Sequence, residues 1–208
     1  MLATFPEERT MTDRRAAEIM YPDQGKDWRI ELKSHPIFHR GHAFLALIDG
    51  NDRIVGELHG LSHSKHTDEQ MMVGMDGADL RGVPTGPGKP SPIGGKKILL
   101  GELRRGSKEE IERIWAKGVA AAHAITENRF DYKAHDPSYE AGTDGGQIQN
   151  SNSVAYTISK AMGLAADANR VLREKNENRR FSGWDRDLLD PKYRRYVAPP
   201  VFPVRDAP

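Results

Sequence analysis

Between residues 42 and 59 the chain reads His-Ala-Phe-Leu-Ala-Leu-Ile, then Asp49-Gly50-Asn51-Asp52, then Arg-Ile-Val-Gly-Glu-Leu-His. Two apolar runs joined by four turn-forming residues predict a β-hairpin, because Gly and Asn tolerate positive φ. A turn centred on Gly50-Asn51 sets His42 opposite His59 and Phe44 opposite Glu57. Side chains alternate along a strand, so all four then share one face, and a one-residue slip would separate them.

The remaining chain surrounds this hairpin with short strands and helices. Trp28, Ile30 and Leu32 alternate with polar residues as in a half-buried strand, which Pro36 is expected to end. Residues 71–95 are crowded with Gly and Pro and read as a loop, with Lys97 to Leu103 returning as a strand. Ser107 and Glu110 form a capping box ahead of Ile111, Ile114, Trp115, Val119, Ala122 and Ile125, which predicts a helix over 108–127. A second Gly-rich loop leads to a helix opening near Ser151, with its apolar stripe on Val154, Ile158, Met162 and Ala165. Gly163 is expected to separate it from a short helix over 167–174. The pattern is α+β: an antiparallel sheet packed against helices. Residues 1–25 read as a polar lead-in with a short helix near Asp13 to Met20, 26–175 as the domain, and 176–208 as an extended tail wrapping it.

Composition removes several function classes. With 31 Lys plus Arg against 30 Asp plus Glu, the net charge of +1 gives no basic excess for a nucleic-acid surface. The basic stretch from Arg170 to Arg195 is interleaved with Glu174, Glu177, Asp185, Asp187 and Asp190, and reads as a solvated face. With 0 Cys, disulfides, thiolate metal sites and a cysteine nucleophile are excluded for this sequence. No apolar run approaches the ~20 residues that span a bilayer, and the first 20 residues lack the apolar core of a signal peptide. The expected compartment is the cytoplasm, with export lacking a cleaved signal left open.

One constellation can carry chemistry. Asn150-Ser151-Asn152-Ser153 opens a helix, where free backbone N–H groups stabilise a developing oxyanion. A histidine on a neighbouring strand can take the proton of a hydroxyl nucleophile, and a second polar group can orient its ring. The candidate assignment is Ser151 as nucleophile, His42 as general base and His59 or Glu57 as its orienting partner. Asn150 positions the helix start, and the N–H of Ser151 or Asn152 contributes to the oxyanion hole.

The segments Arg40-Gly-His42-Ala-Phe-Leu-Ala-Leu, Gly56-Glu-Leu-His59 and Asn150-Ser-Asn-Ser-Val-Ala-Tyr follow one another in an order that resembles the circularly permuted papain-like superfamily. Its members include lecithin:retinol acyltransferase-like proteins and bacterial amidase and peptidase relatives. The resemblance covers roughly residues 28–165. It implies a permuted papain-like fold and hydrolase or acyltransferase chemistry on an amide, ester or thioester. The substrate would be a peptide, a peptidoglycan stem or a lipid-like acyl group, and no cofactor or metal is called for. By analogy the setting would be a bacterial effector or toxin. The family carries cysteine where this chain has Ser151, a poorer nucleophile near neutral pH. A working serine variant, a catalytically inactive relative and a Cys→Ser substitution all fit the sequence.

Plainer readings stand beside these. Ser151 or Asn150 can be an ordinary helix cap, His42 a core histidine, and Glu57 a solvated edge residue. A non-catalytic binding module of the same fold is one alternative. A His-rich metal site is another: His35, His39 and His42 repeat the spacing of His59, His63 and His66, and the hairpin register would set His35 opposite His66.

Overall fold

The computed structural model describes residues 27–37, 40–71, 75–140, 143, 146–175 and 181–199. The lead-in and its expected helix lie outside these residues. Six antiparallel strands form one sheet in the order β5-β1-β2-β3-β4-β6. They are β1 (Trp28–Ile37), β2 (Arg40–Ile48), β3 (Ile54–His63), β4 (Asp79–Thr85), β5 (Ile98–Gly106) and β6 (Phe130–Asp131). The described helices are α1 (Lys108–Glu127), α2 (Ser151–Ala161) and α3 (Ala165–Glu174). The architecture is α+β, with an antiparallel sheet covered on one face by helices.

The two faces of the sheet differ in chemistry. Ile30, Leu32, Ala43, Leu45, Leu58 and Leu80 form the main core with Ile111, Ala122, Val154 and Ile158 of the helices. The alternate residues Phe44, Ala46 and Ile48 form a separate small cluster on the other face. His35, His42, Glu57 and His59 share that second face and are all buried.

Four glycines set how closely the helices approach the core face. A Cβ on Gly82 would lie 2.4 Å from the Ala122 carbonyl oxygen, and one on Gly60 would lie 2.7 Å from the Ser151 Cα. A Cβ on Gly56 would meet the Trp115 ring at 3.2 Å, and one on Gly101 would meet Val171 at 2.8 Å. Thr126 fastens α1 to β4, its hydroxyl accepting from Gly82 N and donating to Gly82 O.

The hairpin register departs from expectation by two residues. Asp49 N donates to Arg53 O, so the turn holds three residues rather than two, with Asp52 at φ 62° in the left-handed position of such a loop. A bulge between Leu47 and Ile48 then adds a second shift, and Glu57 pairs with Ala46 instead of Phe44. Two single shifts restore the parity, so His42, Phe44, Glu57 and His59 still face one way.

Two further corrections concern proline. Pro36 does not end β1, which continues to Ile37 with Pro36 opposite Gly41. The expected loop over 71–95 contains β4, with Pro84 opposite Leu58. β6 pairs with β4 only at Asp79 and Leu80, so no ladder partner needs a Pro84 N–H on the outer side. Residues 86–97 form the crossover from β4 to β5, which pairs with β1 at the far side of the sheet. The first described part of the tail is not extended. Residues 181–192 are largely turns that clasp α2, with Leu188 N donating to the Thr157 hydroxyl at 2.8 Å.

Gly82→Ala should cost about 1–3 kcal/mol, since its methyl must displace helix backbone. Gly94→Ala, with nothing within 4 Å of the new Cβ, should be near neutral. Urea unfolding midpoints compare the two, and equal midpoints would contradict the close helix–sheet contact.

Candidate functional site

The ladder between β2 and β3 stops at Leu45 opposite Leu58, and the N-terminus of α2 enters where the strands part. The Ala43 amide, beyond the last rung, donates to Asn152 Oδ1 at 2.9 Å. Asn152 Nδ2 donates to Ser182 O, as does Asn150 Nδ2. The helix start is thus tied to β2 on one side and to the tail on the other. Gly60 leaves room for the first turn to lie on β3.

Asn150, not Ser151, is the cap. Its Oδ1 accepts from Asn152 N at 2.9 Å and Ser153 N at 3.2 Å, and the Ser153 hydroxyl accepts from Asn150 N. The Ser151 hydroxyl is therefore free of capping duty. The same bonds consume the Asn152 amide, which corrects its expected place in an oxyanion hole. The Ser151 amide and hydroxyl both donate to the hydroxyl oxygen of Tyr132. Burial pushes that phenol up, and the two Ser151 groups pull it back.

On the second face, His42 Nε2 lies 3.0 Å from His59 Nδ1, and His59 Nε2 lies 3.4 Å from Glu57 Oε2. Lys97 Nζ lies 2.5 Å from Glu57 Oε1. Burial alone would raise the Glu57 carboxyl, but hydrogen bonds from His59 and Lys97 hold it down at about 2. An ionised carboxylate only accepts, and this fixes the protons along the chain. His59 carries its hydrogen on Nε2 and accepts on Nδ1. His42 donates from Nε2, which leaves His42 Nδ1 with its lone pair. Burial pushes His42 well below its ordinary range, and the neighbouring imidazoles His59 and His35 add to the effect. His59 and His35 are also lowered, chiefly by burial. All three rings are neutral at pH 7. They gather around Phe44, whose ring centroid is 4.4 Å from that of His59 and 5.0 Å from that of His35.

The two halves meet at a cavity of about 420 Å³. His42, Gly60, Tyr132, Asn150, Ser151 and Asn152 line one end, and Ile37, Leu61, Met71, Pro92 and Ile93 form apolar walls. Among the described residues no hydrogen bond joins Ser151 to His42 or His59. The imidazoles start from the sheet face opposite the helices, and only the parting of β2 from β3 brings His42 to the cavity that Ser151 lines.

The expected gathering of six imidazoles does not form. His35 pairs with His42 across β1 and β2, not with His66. His63 pairs with Asp79, His66 is exposed, and His39 lies outside the described residues. Among the described residues no group of three or more His, Asp or Glu side chains is arranged to hold a metal ion. No helix there is long and apolar enough to cross a membrane.

Tyr132 and Lys97 are the site residues that sequence reasoning missed. Tyr132 follows a two-residue strand and carries no motif, and Lys97 is one basic residue at the end of a Gly/Pro-rich run. No family model, curated protein or solved structure matches the chain. The geometry is therefore the whole basis for a functional reading.

Histidines with lowered pKa bind protons more readily when unfolded, so stability is fully present above the ordinary value of 6.5 and falls as pH drops below it. Each buried imidazole contributes a slope of up to about 1.4 kcal/mol per pH unit. The unfolding free energy should decline between pH 7 and 5, and His42→Gln/His59→Gln should flatten the decline. A wild-type curve that is flat across this range would refute the neutral cluster.

Proposed function

We propose that the protein is a hydrolase or acyltransferase of permuted papain-like design that attacks an amide, ester or thioester carbonyl through Ser151. The observation that carries the reading is the shared cavity. A helix-start hydroxyl that is not a cap lies on the same wall as an imidazole whose free nitrogen is set by a buried carboxylate. The antiparallel sheet packed on the nucleophile's helix agrees with the fold that the His42, His59 and Ser151 segments imply.

In this mechanism the Ser151 hydroxyl adds to the carbonyl carbon while its proton passes to His42 Nδ1. The transfer runs through one water or through closure of the cleft on substrate, since apo contacts of this kind tighten in the complex. The oxyanion takes a hydrogen bond from the Tyr132 hydroxyl, and a second from the Ser151 amide as substrate displaces the bond which that amide makes to the phenol oxygen. His42 then returns its proton to the leaving amine, alcohol or thiol as the tetrahedral intermediate collapses to an acyl-serine. Water completes hydrolysis, or a second nucleophile completes transfer. The apolar walls suit a peptide side chain or lipid-like acyl group next to the scissile bond, and no step needs a cofactor.

A fluorophosphonate probe should label Ser151, with labelling abolished in Ser151→Ala and reduced at least 100-fold in His42→Ala. Tyr132→Phe should lower it about 100-fold by removing the phenol's hydrogen bond to the oxyanion. Because the chain has 0 Cys, Ser151→Cys creates a single thiol. Its alkylation rate should exceed that of a free thiol at pH 7, and a slower rate would remove the activated environment.

The missing Ser151–His42 hydrogen bond favours a second reading, a binding module of the same fold whose cavity holds a ligand without reacting. Absence of probe labelling in a folded protein, with a slow thiol at position 151, selects that reading.

A further inference from the structure

The crossover that passes beneath the sheet also delivers the only cation bound to the imidazole chain among the described residues. We propose that Lys97 is a positioning residue: by pairing with Glu57 from outside the cluster it keeps His59 neutral, and so leaves His42 Nδ1 open to accept a proton. This rests on the reading of His42 as the base for Ser151.

A buried carboxylate needs a positive partner, and two groups here can supply one. Lys97 touches Oε1 of Glu57 and His59 faces Oε2. While the ammonium holds the charge, His59 needs only one hydrogen and can accept from His42. Without it, the nearest group able to become cationic beside Glu57 is His59. A doubly protonated His59 donates from both nitrogens, so its Nδ1–H would point at His42 Nε2. His42 would then have to accept there and carry its hydrogen on Nδ1, the atom that must take the serine proton. The charge on Lys97 therefore decides which nitrogen of a ring two steps away is basic.

The other charged groups on this face are occupied. Glu31 of β1 pairs with Arg29 and Lys33, and Arg81 of β4 pairs with Asp68 and Asp79. His35 is neutral and stacks on Phe44. None of these bonds to Glu57 or His59. Lys97 also ends the same segment whose Pro92 and Ile93 wall the cavity, so a substrate pressing on that wall touches the support of the base.

The test is nitrogen-15 NMR of histidine-labelled full-length protein between pH 5 and 8, paired with fluorophosphonate labelling over the same range. In the wild type, His42 and His59 should both be neutral Nε2–H tautomers at pH 7. Lys97→Met should raise the midpoint of His59 protonation by at least one pH unit and shift the acid limb of labelling upward with it. Lys97→Arg should keep both wild-type profiles. Glu57→Gln/Lys97→Met should return His59 to the neutral form, because no carboxylate then asks for a cation. An unchanged His59 titration in Lys97→Met overturns the proposal. If Lys97→Met does not fold, a His59 midpoint in Lys97→Gln that equals the wild-type value overturns it as well. Wild-type labelling with an unmoved His59 leaves Ser151 chemistry standing and removes Lys97. A moved His59 with no labelling in any variant keeps the role of Lys97 and removes catalysis.

Discussion

A carboxylate buried beneath a β-sheet is unstable unless something positive reaches it, and Glu57 is that carboxylate here. It is 3 % exposed, yet hydrogen bonds keep it ionised at about 2. The requirement explains the least regular part of the chain. To join β4 to β5, the backbone must travel from one side of the sheet to the other, past β3, β2 and β1. It does so on the face that the helices leave open, and Lys97 meets Glu57 on the way. The same passage covers His35, whose ring is hydrogen-bonded to the backbone of Lys96. A crossover that topology demands thus becomes the partner of a buried charge.

The core face obeys a different constraint. There the helices must come close enough to exclude water, and small residues decide where. Gly56, Gly60, Gly82 and Gly101 mark the contacts, and at Gly60 the contact is the first turn of α2 itself. Close approach alone would leave the Ala43 amide without a strand partner where β2 and β3 part. Asn152 supplies an acceptor from its side chain, so the split in the sheet costs no unpaired donor. That split is what lets a residue on one face of β2 share a cavity with a helix on the other.

The hairpin was legible in the sequence because two apolar runs flank a turn-rich tetrapeptide, and its face assignment survived a wrong register. The turn type was not legible. Asp49 accepts from the amides of both Asn51 and Arg53, which favours a three-residue loop closed at Arg53 over a two-residue turn on Gly50-Asn51. The bulge at Leu47 then compensated the parity, and no local residue announces it. Helix α1 matched its expected bounds because capping and periodicity agree there. β4 was hidden by Gly82 and Pro84, which are usually turn signals. Here the glycine is a helix contact and the proline sits on an outer edge. His42, His59 and Glu57 were legible as one group since they lie on one face of one hairpin. Tyr132, Lys97 and the division of labour between Asn150 and Ser151 depend on contacts distant in sequence, which no local pattern encodes.

That division of labour is the step that separates this helix start from an ordinary one. A serine in the first turn normally competes for the exposed amides, and its hydroxyl is then spent on structure. In α2 the asparagine before it accepts from two amides, and the serine after it completes the box. Asn152 is spent on β2 and the tail. Of the four residues that open the helix, three have their side chains committed to holding it in place. The Ser151 hydroxyl alone has no part in holding the helix start; it bonds to the Tyr132 phenol and shares a cavity with the neutral His42 imidazole. Three neighbours hold the helix start in place, and the fourth side chain faces the cavity bonded to a phenol rather than to the helix.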